Sequence, residues 1–128
     1  MKKTLLLFTI ISTFIFADIK TILVSEKYIE KHPFKIIDIR SIEEVSQFGN
    51  LSTSIHIPLL DSNGDSHILI FEEKLLKHLS SKEETFYLID HDGSLSMLLS
   101  TELFNHGFKN IIVLNGGTNK LHVEGFSI

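Results

Sequence analysis

Residues 85–95 read Thr-Phe-Tyr-Leu-Ile-Asp-His-Asp-Gly-Ser-Leu, an apolar run that stops at a polar turn containing glycine. Residues 85–89 are mostly aromatic or branched and show no polar alternation, which predicts a strand buried on both faces. Beyond the turn, leucines recur at helical spacing, and they are Leu95, Leu98, Leu99 and Leu103. The stretch therefore predicts a central strand, a tight loop and a helix that packs back onto the sheet.

The rest of the chain repeats this alternation of strand and helix. Further strands are predicted over residues 21–24, 34–39, 55–57 and 110–114. Helices are predicted after Ser25, after the capping-box sequence Ser41-Ile42-Glu43-Glu44, over residues 72–79 and after Gly116-Gly117, and Gly107 is placed to end the helix that follows the loop. Such alternation produces parallel strands covered by helices, so we expect one three-layer α/β/α domain with a central, mostly parallel sheet.

The first seventeen residues have a different character. Met1-Lys2-Lys3 forms a short basic head, and residues 4–17 contain no charged side chain. A helix over residues 4–17 would span roughly 20 Å, too short for a hydrocarbon core of about 30 Å. With the small residue Ala17 at its end, this pattern predicts a signal peptide over residues 1–17, a domain over residues 18–128, and an exported, periplasmic protein. An uncleaved N-terminal anchor is the alternative, and it would be the only membrane contact.

Composition excludes several classes of function. The chain has 12 Lys and Arg, 16 Asp and Glu, and no cysteine. Two of the basic residues lie within residues 1–17, so residues 18–128 carry a net charge of about −6, which disfavours nucleic acid as a partner. Without cysteine the chain has no disulfide, no thiolate metal site and no thiol chemistry.

Three blocks, in this order, resemble the rhodanese-like domain family. Residues 36–40 (Ile-Ile-Asp-Ile-Arg) and the following Glu43-Glu44 are similar to its early strand with an Asp-x-Arg signature. Residues 49–58 are similar to its Gly-His-Ile-Pro-Gly-Ala-x-x-Ile-Pro segment, and residues 107–117 resemble its closing strand and Gly-Gly turn. The resemblance covers nearly all of residues 20–128 and implies a rhodanese-like fold with structural roles for Asp38, Arg40, Glu44, Gly116 and Gly117. We expect Arg40 to pair with Glu43, Glu44 or a loop carbonyl.

The loop after the central strand departs from the family at its most important position. The resemblance implies that a catalytic cysteine ends this strand and that the loop wraps its thiolate or persulfide. Here Asp90 takes that position, followed by His91, Asp92, Gly93, Ser94 and Leu95 in a loop of the family's usual length. A carboxylate cannot hold a sulfane sulfur atom, so sulfurtransferase activity is not expected and a catalytic role is disfavoured.

Asp90 can instead supply the negative charge that such a loop favours. Inward backbone N–H groups at a helix N-terminus favour an anion. We expect Asp90 to accept hydrogen bonds from the loop amides and to stay ionised, and Asp92 to repel sulfate, phosphate or thiosulfate. The sequence thus indicates a binding module for a protein partner or a small ligand, without a cofactor, and with residues 90–95 as the candidate binding loop.

A second resemblance supports an alternative, enzymatic hypothesis. Residues 86–95 are similar to the first motif of haloacid-dehalogenase-type phosphatases, in which an apolar strand ends in Asp-x-Asp-Gly-Thr-Leu. That resemblance implies Asp90 as the nucleophile and Asp92 as the acid/base beside magnesium. Such enzymes also need a downstream acidic pair, whereas only one carboxylate side chain, Glu124, follows Glu102.

Residues 61–72 support a calcium-binding hypothesis. Oxygen ligands recur there with the spacing of a twelve-residue calcium loop, and they are Asp61, Asn63, Asp65 and Glu72. However, Ser66 stands where the sharp turn of such a loop needs glycine. A polar turn between a strand and a helix is the competing interpretation.

Overall fold

The structure is a computed structural model that describes residues 19–123. The strands are Lys20–Leu23 (β1), Lys35–Asp38 (β2), Ser54–His56 (β3), Phe86–Ile89 (β4) and Ile111–Asn115 (β5). The helices are Glu26–Lys31 (α1), Ile42–Phe48 (α2), Ile68–Leu76 (α3), Ser94–Asn105 (α4) and Gly117–Val123 (α5). The predicted signal peptide lies outside the described residues. Within residues 19–123, no helix has the length and apolar character needed to cross a bilayer.

The five strands form a single parallel sheet in the order β1-β5-β4-β2-β3. The most apolar strand, β4, lies at its centre, where Leu88 pairs with Ile37 on one side and with Val113 on the other. All four residues of β4 are buried, as a continuous apolar run between parallel neighbours requires. The predicted α/β fold is confirmed, and the sheet is entirely parallel.

Alternate residues of the strands build two separate cores, one on each face of the sheet. Phe86 and Leu88 pack with residues of α3 and α4, such as Phe71 and Leu103. Tyr87 and Ile89 face the opposite side, where the core includes Leu121 of α5 and receives partly buried side chains of α1. Burying one such side chain stabilises the fold by about 1.5–3 kcal/mol, so helices on both faces are needed to cover this sheet. The three-layer arrangement follows.

Several helix ends lie where capping residues in the sequence predicted them. Ser25 caps α1 by accepting from the Tyr28 N–H at 3.2 Å, and Ser41 and Glu44 form the predicted capping box of α2. Gly107 follows α4 with φ +101°, as a glycine that ends a helix does.

The helix predicted over residues 72–79 was misplaced. It begins at Ile68 instead, because Phe71 and Leu75, one turn apart, are both buried in the core beside α4.

The helix after the loop packs onto the sheet as predicted, with Leu99 and Leu103 buried, but one of its four leucines does not face the core. Leu98 was placed on the buried face but is 69 % exposed, whereas Ser96 and Ser100 are buried. Residues i and i+2 of a helix lie about 200° apart around its axis, so Leu98 faces solvent when Ser96 is buried. Ser96 is buried because its hydroxyl donates to Asp90, in the loop that precedes α4.

Candidate functional site

The loop of residues 90–95 leaves the central strand at its carboxyl end and leads directly into α4. Ligands of parallel α/β sheets bind outside this edge, so the position is suited to a site. Gly93 precedes the first residue of α4 and has φ +100°, a left-handed conformation that turns the chain back toward the sheet.

Asp90 lies inside this loop, and its carboxylate accepts three hydrogen bonds. Oδ1 accepts from the Gly93 N–H at 2.9 Å and from the Ser96 hydroxyl at 2.7 Å. Oδ2 accepts from the Leu95 N–H at 3.1 Å. The residue is only 4 % exposed. The prediction that loop amides hold Asp90 is confirmed. Ser96, which the sequence did not indicate, is an additional donor, and its bond to Asp90 accounts for its buried position on α4.

Helix α5 closes over the same loop from outside. The backbone N–H groups of Thr118 and Asn119 donate to the carbonyls of Asp90 and His91, each at 2.9 Å, and the Gly116 N–H donates to the Asp92 backbone carbonyl at 3.1 Å. These bonds bring the start of α5 into direct contact with the loop.

Gly117 is the point of closest approach between α5 and the loop. A Cβ atom built there would lie 2.3 Å from the Asp90 carbonyl oxygen, and the residue has φ +57°. Only glycine fits both the space and the backbone angle. The Gly-Gly turn therefore has the structural role that the family resemblance implied.

The outer side of the loop carries the exposed residues His91 and Asp92. Asp92 Oδ1 accepts from the Ser94 hydroxyl at 2.6 Å and from the Ser94 N–H at 2.9 Å. These two bonds, the hydroxyl first, hold the pKa of Asp92 below its usual value. The His91 ring contacts the ring of Phe48, with their centroids 6.0 Å apart.

The loop geometry bears on the phosphatase hypothesis. Both oxygens of Asp90 accept hydrogen bonds from its own loop and helix, so neither is presented for attack on phosphorus. Within residues 19–123, no three His, Cys, Asp or Glu side chains lie together as candidate metal ligands. The structure does not assemble the magnesium-dependent arrangement that Asp90 and Asp92 suggested.

Asp38 and Arg40 form a buried ion pair at the carboxyl end of β2. Arg40 Nη2 lies 2.7 Å from Asp38 Oδ2, Arg40 Nε lies 3.0 Å from Oδ1, and Nη2 also donates to the Gly49 carbonyl at 3.0 Å. The predicted bond to a loop carbonyl is confirmed, but pairing with Glu43 or Glu44 was wrong. A guanidinium buried this deeply needs a buried acceptor, and Glu44 instead closes the cap of α2.

The candidate calcium ligands do not converge. Asp61 accepts from the N–H groups of Asn63 and Asp65 at 2.9 and 3.0 Å, and His67 Nε2 donates to it at 2.8 Å. The His67 bond is the largest cause that lowers the pKa of Asp61. Glu72 pairs with His106 instead. Residues 61–65 therefore form a turn held by its own hydrogen bonds, as the competing interpretation predicted.

Most of the chain matches a known protein family. The model of the family described as Rhodanese-like domain matches residues 24–124, which is more than half of the chain. The chain belongs to the rhodanese-like domain family. It is a member without cysteine, in which Asp90 ends the central strand. A comparison with curated proteins finds no significant match.

Several solved structures are similar to this rhodanese-like domain. A rhodanese-related protein from Thermoplasma volcanium is 25 % identical with a TM-score of 0.62, covering 84 % of this chain and 95 % of its own. A rhodanese-like domain protein from Staphylococcus aureus is 22 % identical with a TM-score of 0.57, covering 79 % of this chain and 89 % of its own. An NAD-dependent persulfide reductase from A. fulgidus is 26 % identical with a TM-score of 0.52, covering 78 % of this chain but only 15 % of its own.

A small cavity lies beside the loop of this rhodanese-like domain. It has a volume of about 140 Å³, and we call it the loop-side cavity; its lining residues are Phe48, His91, Thr118, Asn119 and His122. These residues come from α2, the loop and α5. Sequence reasoning considered only His91 for this site, because no spacing in the chain indicates that the end of α2 and the start of α5 meet there.

Proposed function

We propose that this protein is an exported rhodanese-like binding module without sulfurtransferase activity. One observation carries the proposal. The Asp90 carboxylate occupies the centre of the loop of residues 90–95, where it accepts from the loop N–H groups of Gly93 and Leu95 and from the Ser96 hydroxyl. A sulfurtransferase needs those donors for a thiolate or persulfide. Here no thiol is available to carry that sulfur, because the chain has no cysteine.

Electrostatics supports the same proposal. Residues 90–95 contain two carboxylates and neither Lys nor Arg, so an anionic sulfur donor would meet repulsion on approach. The acidic balance of residues 18–128 likewise disfavours nucleic acid. A protein partner or a small uncharged ligand at the outer side of the loop fits this surface, and no cofactor is required for such binding.

The sulfur chemistry can be tested directly. Sulfur transfer from thiosulfate to cyanide should proceed at the rate of buffer alone, and intact-mass spectrometry should find no added sulfur after exposure to thiosulfate. As a positive comparison, Asp90→Cys places a thiol among the same donors and should gain the mass of one sulfur atom. Sulfur transfer by the unaltered protein would overturn the proposal.

Binding and export need a separate experiment. The protein should be recovered from its native envelope fraction, and mass spectrometry should identify both the co-purified partner and the mature N-terminus. We expect cleavage after Ala17. Loop variants that spare Asp90, such as His91→Ala and Asp92→Asn, should lose the partner. Asp61→Asn, in the other turn, should keep it. Equal recovery with all variants would contradict a binding role for the loop.

A further inference from the structure

One residue that lines the loop-side cavity, Thr118, has a hydroxyl without a hydrogen-bond partner among residues 19–123. Thr118 is only 3 % exposed, and its hydroxyl makes no hydrogen bond within residues 19–123. In that part of the chain, no fully enclosed side-chain oxygen or nitrogen lacks a partner. The Thr118 hydroxyl is therefore not fully enclosed, and Thr118 is one of the residues that line the loop-side cavity. A buried hydroxyl kept open to a cavity is available to a ligand.

The walls of the cavity favour an aromatic ring. Phe48 is an apolar residue that stays 53 % exposed, and its ring lies 6.0 Å from that of His91 with an interplanar angle of 34°. Aromatic rings prefer such offset or tilted neighbours. The volume of about 140 Å³ is close to the roughly 150 Å³ of a protein cavity known to accept benzene.

The polar lining restricts the ligand further. Neither Lys nor Arg lines the cavity, and the next residue in the chain after His91 is the carboxylate Asp92, so an anion is disfavoured. The imidazoles of His91 and His122 can each donate or accept, as can the Thr118 hydroxyl. A single neutral hydroxyl on the ligand can both donate to one of these groups and accept from another.

We propose that the loop-side cavity binds a phenol ring, that is, one aromatic ring with one hydroxyl that contacts Thr118. The inference rests on the proposed function and deepens it, since it names the ligand chemistry of the binding loop. A phenol ring reaches a protein either as a free small molecule or as a tyrosine side chain of a partner. A ligand this small binds weakly, with a dissociation constant of roughly 1 mM.

The test is an NMR titration of the ¹⁵N-labelled protein with p-cresol, with toluene, and with a blocked tripeptide that contains tyrosine. We expect p-cresol to shift the amide signals of Phe48, His91 and Thr118, and to bind about tenfold more tightly than toluene. Binding of the peptide as well assigns a partner's tyrosine, whereas binding of p-cresol alone assigns a free phenol.

Two variants locate the interaction. Thr118→Val removes only the hydroxyl and should reduce p-cresol affinity to that of toluene, while Thr21→Val, on an exposed strand, should not. Phe48→Ala should weaken both ligands, and Phe104→Ala, on α4, should weaken neither. The inference is overturned if no ligand shifts these signals at ten times the expected dissociation constant, or if Thr118→Val keeps the preference for p-cresol.

The outcomes also separate this inference from the proposed function. A protein that transfers no sulfur and ignores p-cresol overturns only the phenol site. A protein that transfers sulfur from thiosulfate overturns the proposed function, whatever the titration shows.

Discussion

Two turns of this chain share the pattern Asp-x-(Asn/Asp)-Gly, one at residues 61–64 and one at residues 90–93. In both, the glycine has a positive φ, +80° at Gly64 and +100° at Gly93. In both, the first aspartate accepts two backbone N–H bonds and one side-chain bond. Their surroundings differ: the Asp61 side chain is 35 % exposed, whereas Asp90 is 4 % exposed at the end of the central strand.

The two turns differ in whether a distant helix contacts them. The turn at residues 61–64 satisfies itself, and its donors to Asp61 all lie within six residues of it. The turn at residues 90–93 is also held by α5, whose N–H groups donate to its carbonyls. The same short pattern is therefore an independent turn in one place and part of the core in the other.

The largest expected difference in stability is between alanine variants of Gly117 and Gly64, because the free space around these two glycines differs most. Gly117→Ala places a Cβ 2.3 Å from the Asp90 carbonyl and should destabilise the protein by roughly 3–4 kcal/mol. Gly64→Ala meets no atom within 4 Å and should cost only about 1 kcal/mol for its positive φ. Urea unfolding measures both, and equal losses would contradict the coupling of α5 to the loop.

The two aspartates should differ next. Asp90→Ala leaves two buried donors and one partly buried donor without an acceptor and should reduce the free energy of unfolding by roughly 3 kcal/mol. Asp61→Ala should cost far less, because water can reach the donors that it releases. Thermal melts of the two variants and the unaltered protein decide this. A larger loss at Asp61 would reverse the comparison.

The third donors of the two turns give a finer test. Ser96→Ala removes a hydroxyl bond to a buried carboxylate and should cost about 1.5–2 kcal/mol. The corresponding donor to Asp61 is His67, which is half exposed, and His67→Ala should change stability little. Chemical denaturation should rank Ser96→Ala well above His67→Ala; the opposite ranking would mean that Ser96 contributes no such bond.

The smallest effects are on titration. His67→Gln should raise the pKa of Asp61 toward its usual value and leave Asp92 unchanged, while Ser94→Ala should raise only the pKa of Asp92. A lowered folded-state pKa contributes stability above the unfolded value of 3.8, and this stability is lost as pH falls below it. Each variant should therefore show a shallower loss of stability below pH 3.8. Carboxyl ¹³C titration checks the assignment, and a pKa change at both aspartates in one variant would contradict it.

Much of the fold could be predicted because its signals are local. The apolar run of residues 85–89, the capping box at Ser41 and the glycine at Gly107 each act through neighbours in sequence, and the structure confirms them. The identity of Asp90 at the end of β4 likewise needs only the sequence, and so does the absence of sulfur at that position.

The errors arose where partners are distant in sequence or competed with one another. Arg40 had several candidate acceptors nearby, and only burial selected Asp38 and the Gly49 carbonyl. Glu72 fitted a calcium spacing but pairs with His106, thirty-four residues away. Leu98 fitted a helical stripe, but the bond of Ser96 to Asp90 turned it outward.

The residue types along the chain were enough to predict that a carboxylate, and no thiol, follows the central strand of a parallel α/β sheet. Packing of distant elements encloses this carboxylate among three hydrogen-bond donors and brings Phe48, His91 and Thr118 to one cavity beside it, which the sequence did not indicate. The physical reason is that strand, turn and cap signals act over a few residues. Burial and cavity shape depend on helices α2 and α5, which lie far apart in the chain but line the same cavity in the fold.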